Sequence, residues 1–170
     1  VDRPLFAHAL YTPKARKPQG PAIAARRTTD KYAARVFNNA FSGSGSLVID
    51  GVTILSNSEG QSLCSTAHPY SPSDSTTQSN SGTSALNPTN IETTRREMAQ
   101  LKDDRGEYIS VQPDLLLVPR ALEQTAWEII ASKGKVDSAE NNANFHFGKY
   151  KLAVWDFLTD ENDWFMLDST

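Results

Sequence analysis

Apolar residues in this chain fall into short blocks separated by long polar stretches. The densest block opens DLLLVPRALEQTAWEIIAS, residues 114–132. Leu115 to Val118 is apolar without alternation, which predicts a strand covered on both faces. Pro119 cannot donate a ladder hydrogen bond but suits the first position of a helix, so the strand should stop there. Leu122, Ala126, Ile129 and Ile130 then recur at helical spacing and form one apolar stripe, and Lys133-Gly134 supplies a stop. Trp127 falls off that stripe, which marks it as a candidate contact residue rather than core.

The remaining pattern predicts further elements. Residues 1–27 lack periodicity and carry Pro4, Pro13, Pro18 and Pro21, which reads as an extended arm. Thr28, Thr29 or Asp30 can cap a helix presenting Tyr32, Ala33, Val36, Phe37, Ala40 and Phe41 on one face, ended by SGSGS at 42–46. Leu47–Ile49 and Val52–Leu55 flank Asp50-Gly51, a two-residue hairpin signal. Ser56 to Leu86 is a long loop whose tip, 71–84, holds nine Ser/Thr in fourteen residues; such a tip is expected to be mobile unless a neighbour holds it. Leu63, Ala67, Pro69 and Tyr70 are its expected anchors. Asn87-Pro88 opens a helix with Ile91, Met98 and Leu101 inward, and Lys102 to Gly106 is a turn. Tyr108, Ile109 and Val111 read as a short strand, and Tyr150–Leu158 and Trp164–Leu167 as an antiparallel pair. The expected class is α+β, with about three helices, one mixed sheet and long excursions.

Composition adds two points. With 38% hydrophobic and 22% charged residues, 170 residues suffice for one domain plus an arm, and no apolar run reaches the roughly 20 residues of a membrane helix. The net charge of −3 hides an asymmetry: residues 1–41 hold eight Lys/Arg against two acids, whereas 42–170 hold nine against eighteen. A basic arm on an acidic body suits nucleic acid or the acidic surface of another copy, with Lys14, Arg16, Lys17, Arg26 and Arg27 as the contact candidates; a plainly solvated tail is the simpler alternative.

Candidate chemistry is sparse. Cys64 and His68 could be imagined as a thiol and a base, giving a cysteine hydrolase, but no oxyanion-type glycine motif accompanies them. The lone Cys64 cannot form an internal disulfide. His8, His68 and His146 have no metal-site spacing, and His146, between Phe145 and Phe147, would alternate outward on a strand. Asp156, Asp160, Glu161, Asp163 and Asp168 lack the ordered calcium-loop pattern, and GSG at 43–45 is no nucleotide fingerprint. No catalytic residue, cofactor, metal or small-molecule substrate is expected.

Taken in order, several segments resemble the major capsid proteins of tailed phages, in particular the phage Mu-type major head subunit with its Hong Kong 97-type fold. They are TDKYAARVFNNAF from Thr29, IDGVTILS, CSTAHP at 64–69, and Leu86-Asn87 before IETTRREMAQLKDDRGEYI. LLLVPRALEQTAWEII and NNANFHFGKYKLAVWDFLTDENDWFMLD follow, so the resemblance spans roughly 29–168. It implies a structural protein of the virion, assembled in the host cytoplasm into hexamers and pentamers around packaged DNA. It also implies a division into a basic arm at 1–28, the end of a spine helix with linker at 29–46, and a capsomer-centre domain at 47–170. Residues 1–28 and the stop at Thr170 depart from the family pattern, so a partial chain is expected. Trp127, Arg120, Glu123 and Tyr70 are the candidate self-assembly contacts. The alternative is a nucleic-acid-binding module working through the basic arm.

Overall fold

The computed structural model describes residues 19–42, 46–49, 51–56, 59–71, 73, 75–135 and 142–169. Three helices and seven strands lie within them: α1 Gln19–Asn38, β1 Ser46–Ile49, β2 Val52–Ser56, β3 His68–Pro69, β4 Thr77–Gln78, α2 Pro88–Met98, β5 Leu115–Val118, α3 Glu123–Ala131, β6 Lys151–Val154 and β7 Phe165–Leu167. Two antiparallel hairpins, β1–β2 and β3–β4, accompany a three-stranded mixed sheet ordered β6-β5-β7.

The apolar run at 115–118 is the central strand, parallel to β6 and antiparallel to β7. Its side chains alternate between two cores. Leu116 and Val118 pack with Ile91 of α2, Ala126, Ile129 and Ile130 of α3, Tyr150 and Met166. Leu117 packs on the other face with Phe165 and Ala40, beside Phe37, Cys64 and Trp155. Both faces being covered explains why the strand is apolar throughout. Asp114, just before β5, ties both neighbours to it. Its N–H donates to the Leu167 carbonyl, its carbonyl accepts from Lys151 N–H, and its carboxylate accepts from the Ser169 N–H and hydroxyl.

The expected pairing of the last two strands is therefore wrong: β5 lies between them. A strand apolar on both faces is best placed centrally, and the connection from β6 to β7 is long enough to pass it. The β5–α3–β6 segment is a β–α–β unit, the usual way to join parallel strands.

α3 follows β5 through a 3-10 turn, Arg120–Leu122, with Pro119 at its cap. Of the predicted stripe, Ala126, Ile129 and Ile130 are buried, and Leu122, in the 3-10 turn, is half-buried against the same core. The helix C-terminus is closed by the turn at 142–149: the Asn144 side-chain amide donates to the Ile129 and Ser132 carbonyls, and Gly148 N–H to Ile130 O. These bonds satisfy carbonyls the helix itself leaves without partners. α2 begins as expected, with Asn87 Oδ1 accepting from Asn90 N–H at 2.8 Å and Pro88 in the first turn.

Other expectations need correction. α1 begins at Gln19, not at Thr28–Asp30, so 19–27 is helical and not an extended arm. Pro21 sits in the first turn, where backbone N–H groups have no intrahelical partner, and the alanines and arginines after it are strong helix formers. The inward face of α1 is carried by Ala34 and Phe37 and continued by Ala40 in the turn that follows, while Tyr32 and Phe41 are exposed. Residues 108–111 form no strand beyond a bridge between Tyr108 and Lys102. Ser110 adopts φ 59°, which turns the chain out of extended geometry and leaves Tyr108 and Ile109 exposed. The hairpin at Asp50-Gly51 forms, with Gly51 at φ 79°, the left-handed conformation such a turn requires. Residues 1–18, GSG at 43–45 and Asp50 lie outside the described residues.

Leu116→Ala, which empties a fully buried position between α2 and α3, should lower unfolding stability by about 3 kcal/mol. Val48→Ala, at an exposed position, should change it by less than about 0.5 kcal/mol. Urea unfolding of the two variants checks both values.

Candidate functional site

The junction of β5 and α3 assembles three of the four predicted contact residues. Arg120, in the 3-10 turn, donates through Nε to Asp156 Oδ1 and through a terminal nitrogen to Glu123 Oε2, both at 2.7 Å. Asp156 comes just after β6, so the ion network pins the start of α3 to the end of a neighbouring strand. The Arg120 guanidinium holds the Asp156 carboxyl below the usual carboxylate range, and the two acids raise the arginine in turn. Each bond is solvent-exposed and contributes little stability alone. Together they hold long side chains in one orientation.

Glu123 and Trp127 stand one helical turn apart, with Arg120 one turn earlier, so the three form a single outward stripe. The Trp127 indole is 59% exposed. Beside it, the Gln124 amide donates to Glu128 Oε1 at 2.8 Å. The result is a large aromatic ring flanked by fixed charges, the composition of an interface anchor. Asp156 was not legible as part of this group, because only the parallel pairing of β5 and β6 brings it there. Tyr70 is on a separate element: it follows β3, and its N–H donates to Thr76 O across the β3–β4 hairpin.

A second surface was missed in the sequence. The alternation at 145–147 runs opposite to expectation: His146 is 5% exposed, whereas Phe145 and Phe147 face outward. The cause is the Asn144 turn, in which Asn144 Oδ1 also accepts His146 N–H at 3.0 Å and turns the imidazole under α2. Its Nε2 meets the Pro88 carbonyl at 3.1 Å, which makes Nε2 the donor, and the ring stacks on Tyr150. Outside, the Phe145 ring carries Lys149 Nζ at 3.1 Å and the Arg95 guanidinium at 5.5 Å.

Cys64 and His68 make no nucleophile–base pair. Burial, and secondarily the charge of Asp163, pushes the Cys64 thiol up to about 11, so it stays protonated at neutral pH. His68 Nδ1 is instead held by Glu59 Oε2 at 2.8 Å. Among the described residues no group of His, Cys, Asp and Glu is arranged to hold a metal ion, and no helix is long and apolar enough to cross a membrane. Of the basic candidates, Lys14, Arg16 and Lys17 lie outside the described residues, while Arg26 and Arg27 are exposed on α1.

A family model described as phage capsid protein matches residues 15–170, nearly the whole chain. The chain belongs to the phage capsid protein family. Its role is accordingly that of a structural component of a phage virion. No curated protein matches it. Among solved structures it is similar to a chain in the capsid of bacteriophage JBD30 decorated with minor capsid protein trimers, at 23% identity and a TM-score of 0.38. That match covers 45% of this chain and 26% of the other, so this chain spans well under half of that chain's length.

Burial lowers the His146 pKa below its ordinary value of 6.5, outweighing the Pro88 carbonyl and Glu92, with Lys149 and Arg95 acting in the same direction as burial. Its folded pKa thus lies below the unfolded one. Stability is full above about pH 6.5 and declines as pH falls below it, because the unfolded chain takes up the proton first. Urea unfolding midpoints at pH 7.5 and 5.5 should therefore differ more in the wild-type capsid protein than in His146→Gln.

Proposed function

We propose that this capsid protein acts by self-assembly, as a major head subunit of the Hong Kong 97 type and close in kind to the Mu head subunit. Copies form capsomers that tile an icosahedral shell around packaged DNA, after assembly in the host cytoplasm. In this reading, residues 47–170 form the capsomer-centre domain and 29–46 the end of the spine helix with its linker. Residues 1–28 carry the basic segment, and the loop at 71–84 with Tyr70 reaches a neighbouring copy.

The observation that supports this reading is the exposed Trp127 indole, set in the rigid Arg120–Glu123–Asp156 network on a protein of capsid family. A tryptophan that solvates its ring costs the monomer apolar surface that a neighbour can cover. Capsid rings repeat one heterologous contact, so a single anchor residue recurs at every interface.

Sizing and electron microscopy at rising concentration should show rings or shells for the wild type. Trp127→Ala should weaken association by roughly 30-fold, about 2 kcal/mol at an anchor position, with an unchanged thermal midpoint. A wild-type chain that stays monomeric at every concentration would sink the proposal.

A further inference from the structure

Among the described residues, nothing packs against the first part of α1. From Gly20 to Thr29 every residue is exposed, and packing against the body begins only near Ala34. Ile23, 59% exposed, lies at i, i+3 and i+4 spacing with Arg26 and Arg27, so the three share one stripe. Neither arginine has a carboxylate partner among the described residues.

The other end of the same helix borders an open groove of about 710 Å³, lined by Asn38, Phe41, Ser81, Thr159, Asp160 and Asp163 among others. Its walls are fixed. The Asn38 side chain donates to Phe157 O and accepts from Thr159 N–H, and the Phe41 ring stacks on Phe165. Phe41 remains 44% exposed. Asp163 is half-buried with no cationic partner among the described residues, so its carboxyl is raised by burial and by Asp160. The groove thus combines an aromatic face, two carboxylates and the negative end of a helix dipole.

The stripe and the groove match in chemistry, an aliphatic side chain with two guanidinium groups against an aromatic ring with two carboxylates. They cannot meet within one copy. Arg26 stands twelve residues before Asn38 on a continuous helix, roughly 18 Å along the axis, beyond the reach of an arginine side chain. We propose that the Ile23–Arg26–Arg27 stripe of one copy docks in the Phe41–Asp160–Asp163 groove of the next. This contact is head-to-tail, as closed rings require, and it accounts for a basic N-terminal segment on an acidic body. It rests on the self-assembly reading and names a second interface, separate from Trp127.

The test is a charge exchange in the full chain, followed by sedimentation velocity and electron microscopy. Arg26→Glu with Arg27→Glu, and Asp160→Lys with Asp163→Lys, should each weaken association at least tenfold. The equimolar mixture should recover it, because each altered stripe then faces a complementary groove. Where the double aspartate change lowers the folded fraction by circular dichroism, Asp160→Lys alone, at an exposed side chain, should give a smaller loss in the same direction. Raising salt from 50 to 200 mM should weaken the wild-type contact. Variants that assemble like the wild type would overturn this contact and leave the capsid reading intact, as would a mixture no better than either variant alone. A monomeric wild type would overturn the assembly reading itself. Loss of 20-bp duplex DNA binding on arginine reversal, with assembly unchanged, would reassign the stripe to nucleic acid.

Discussion

The described structure depends on β5 being buried on both faces. Leu116 and Val118 on one side and Leu117 on the other connect two clusters that would otherwise be separate small patches. α2 and α3 cover the first, and the C-terminal turns of α1 the second. β6 begins at an exposed residue, Lys151, whereas three of the four residues of β5 are buried, so β5 suits the central position best. Asp114 reinforces it by fixing the ends of both neighbours to the same residue.

The outer face of α3 follows from that arrangement. The polypeptide leaves β5 through Pro119, and the turn that follows sets Arg120 against Asp156 at the end of the parallel strand β6. The orientation of α3 is set by Ala126, Ile129 and Ile130 packed against β5, with Asn144 and Gly148 closing its end and the exposed Arg120–Asp156 pair beside its start. The stripe that faces away from the core, with Trp127 in it, is displayed in one direction. In the proposed shell such a fixed direction matters, because an orientation error at one contact is propagated around the ring.

Features encoded over a few residues were legible in the sequence. The strand at 115–118, the Asn87-Pro88 cap, the Asp50-Gly51 hairpin and the off-stripe position of Trp127 each depend on local spacing or backbone preference. What escaped depends on tertiary context. The insertion of β5 between β6 and β7 is a pairing choice that periodicity does not encode, and the placement of Asp156 beside Arg120 depends on it. His146 turned inward because Asn144 spends its side chain on closing α3, a demand set by a helix end far back in the chain. The start of α1 is hidden for a local reason: Pro21 reads as a breaker, but its place in a first turn makes it harmless. The groove beside Asn38 is formed by three separate segments, and no single stretch announces it.

The strand order also has a consequence in time. β5 pairs with residues 151–154 and 165–167, so its two hydrogen-bonding edges stay open while the intervening polypeptide is being made. The sheet cannot close until the WFML segment has left the ribosome, and non-local pairing of this kind is slow relative to helix formation. A nascent chain therefore holds its helices before its sheet. Asp156, the partner of Arg120, is likewise made only after α3, together with the end of β6. Topology thus delays the fixing of the outer face of α3 until β6 and β7 have both been made.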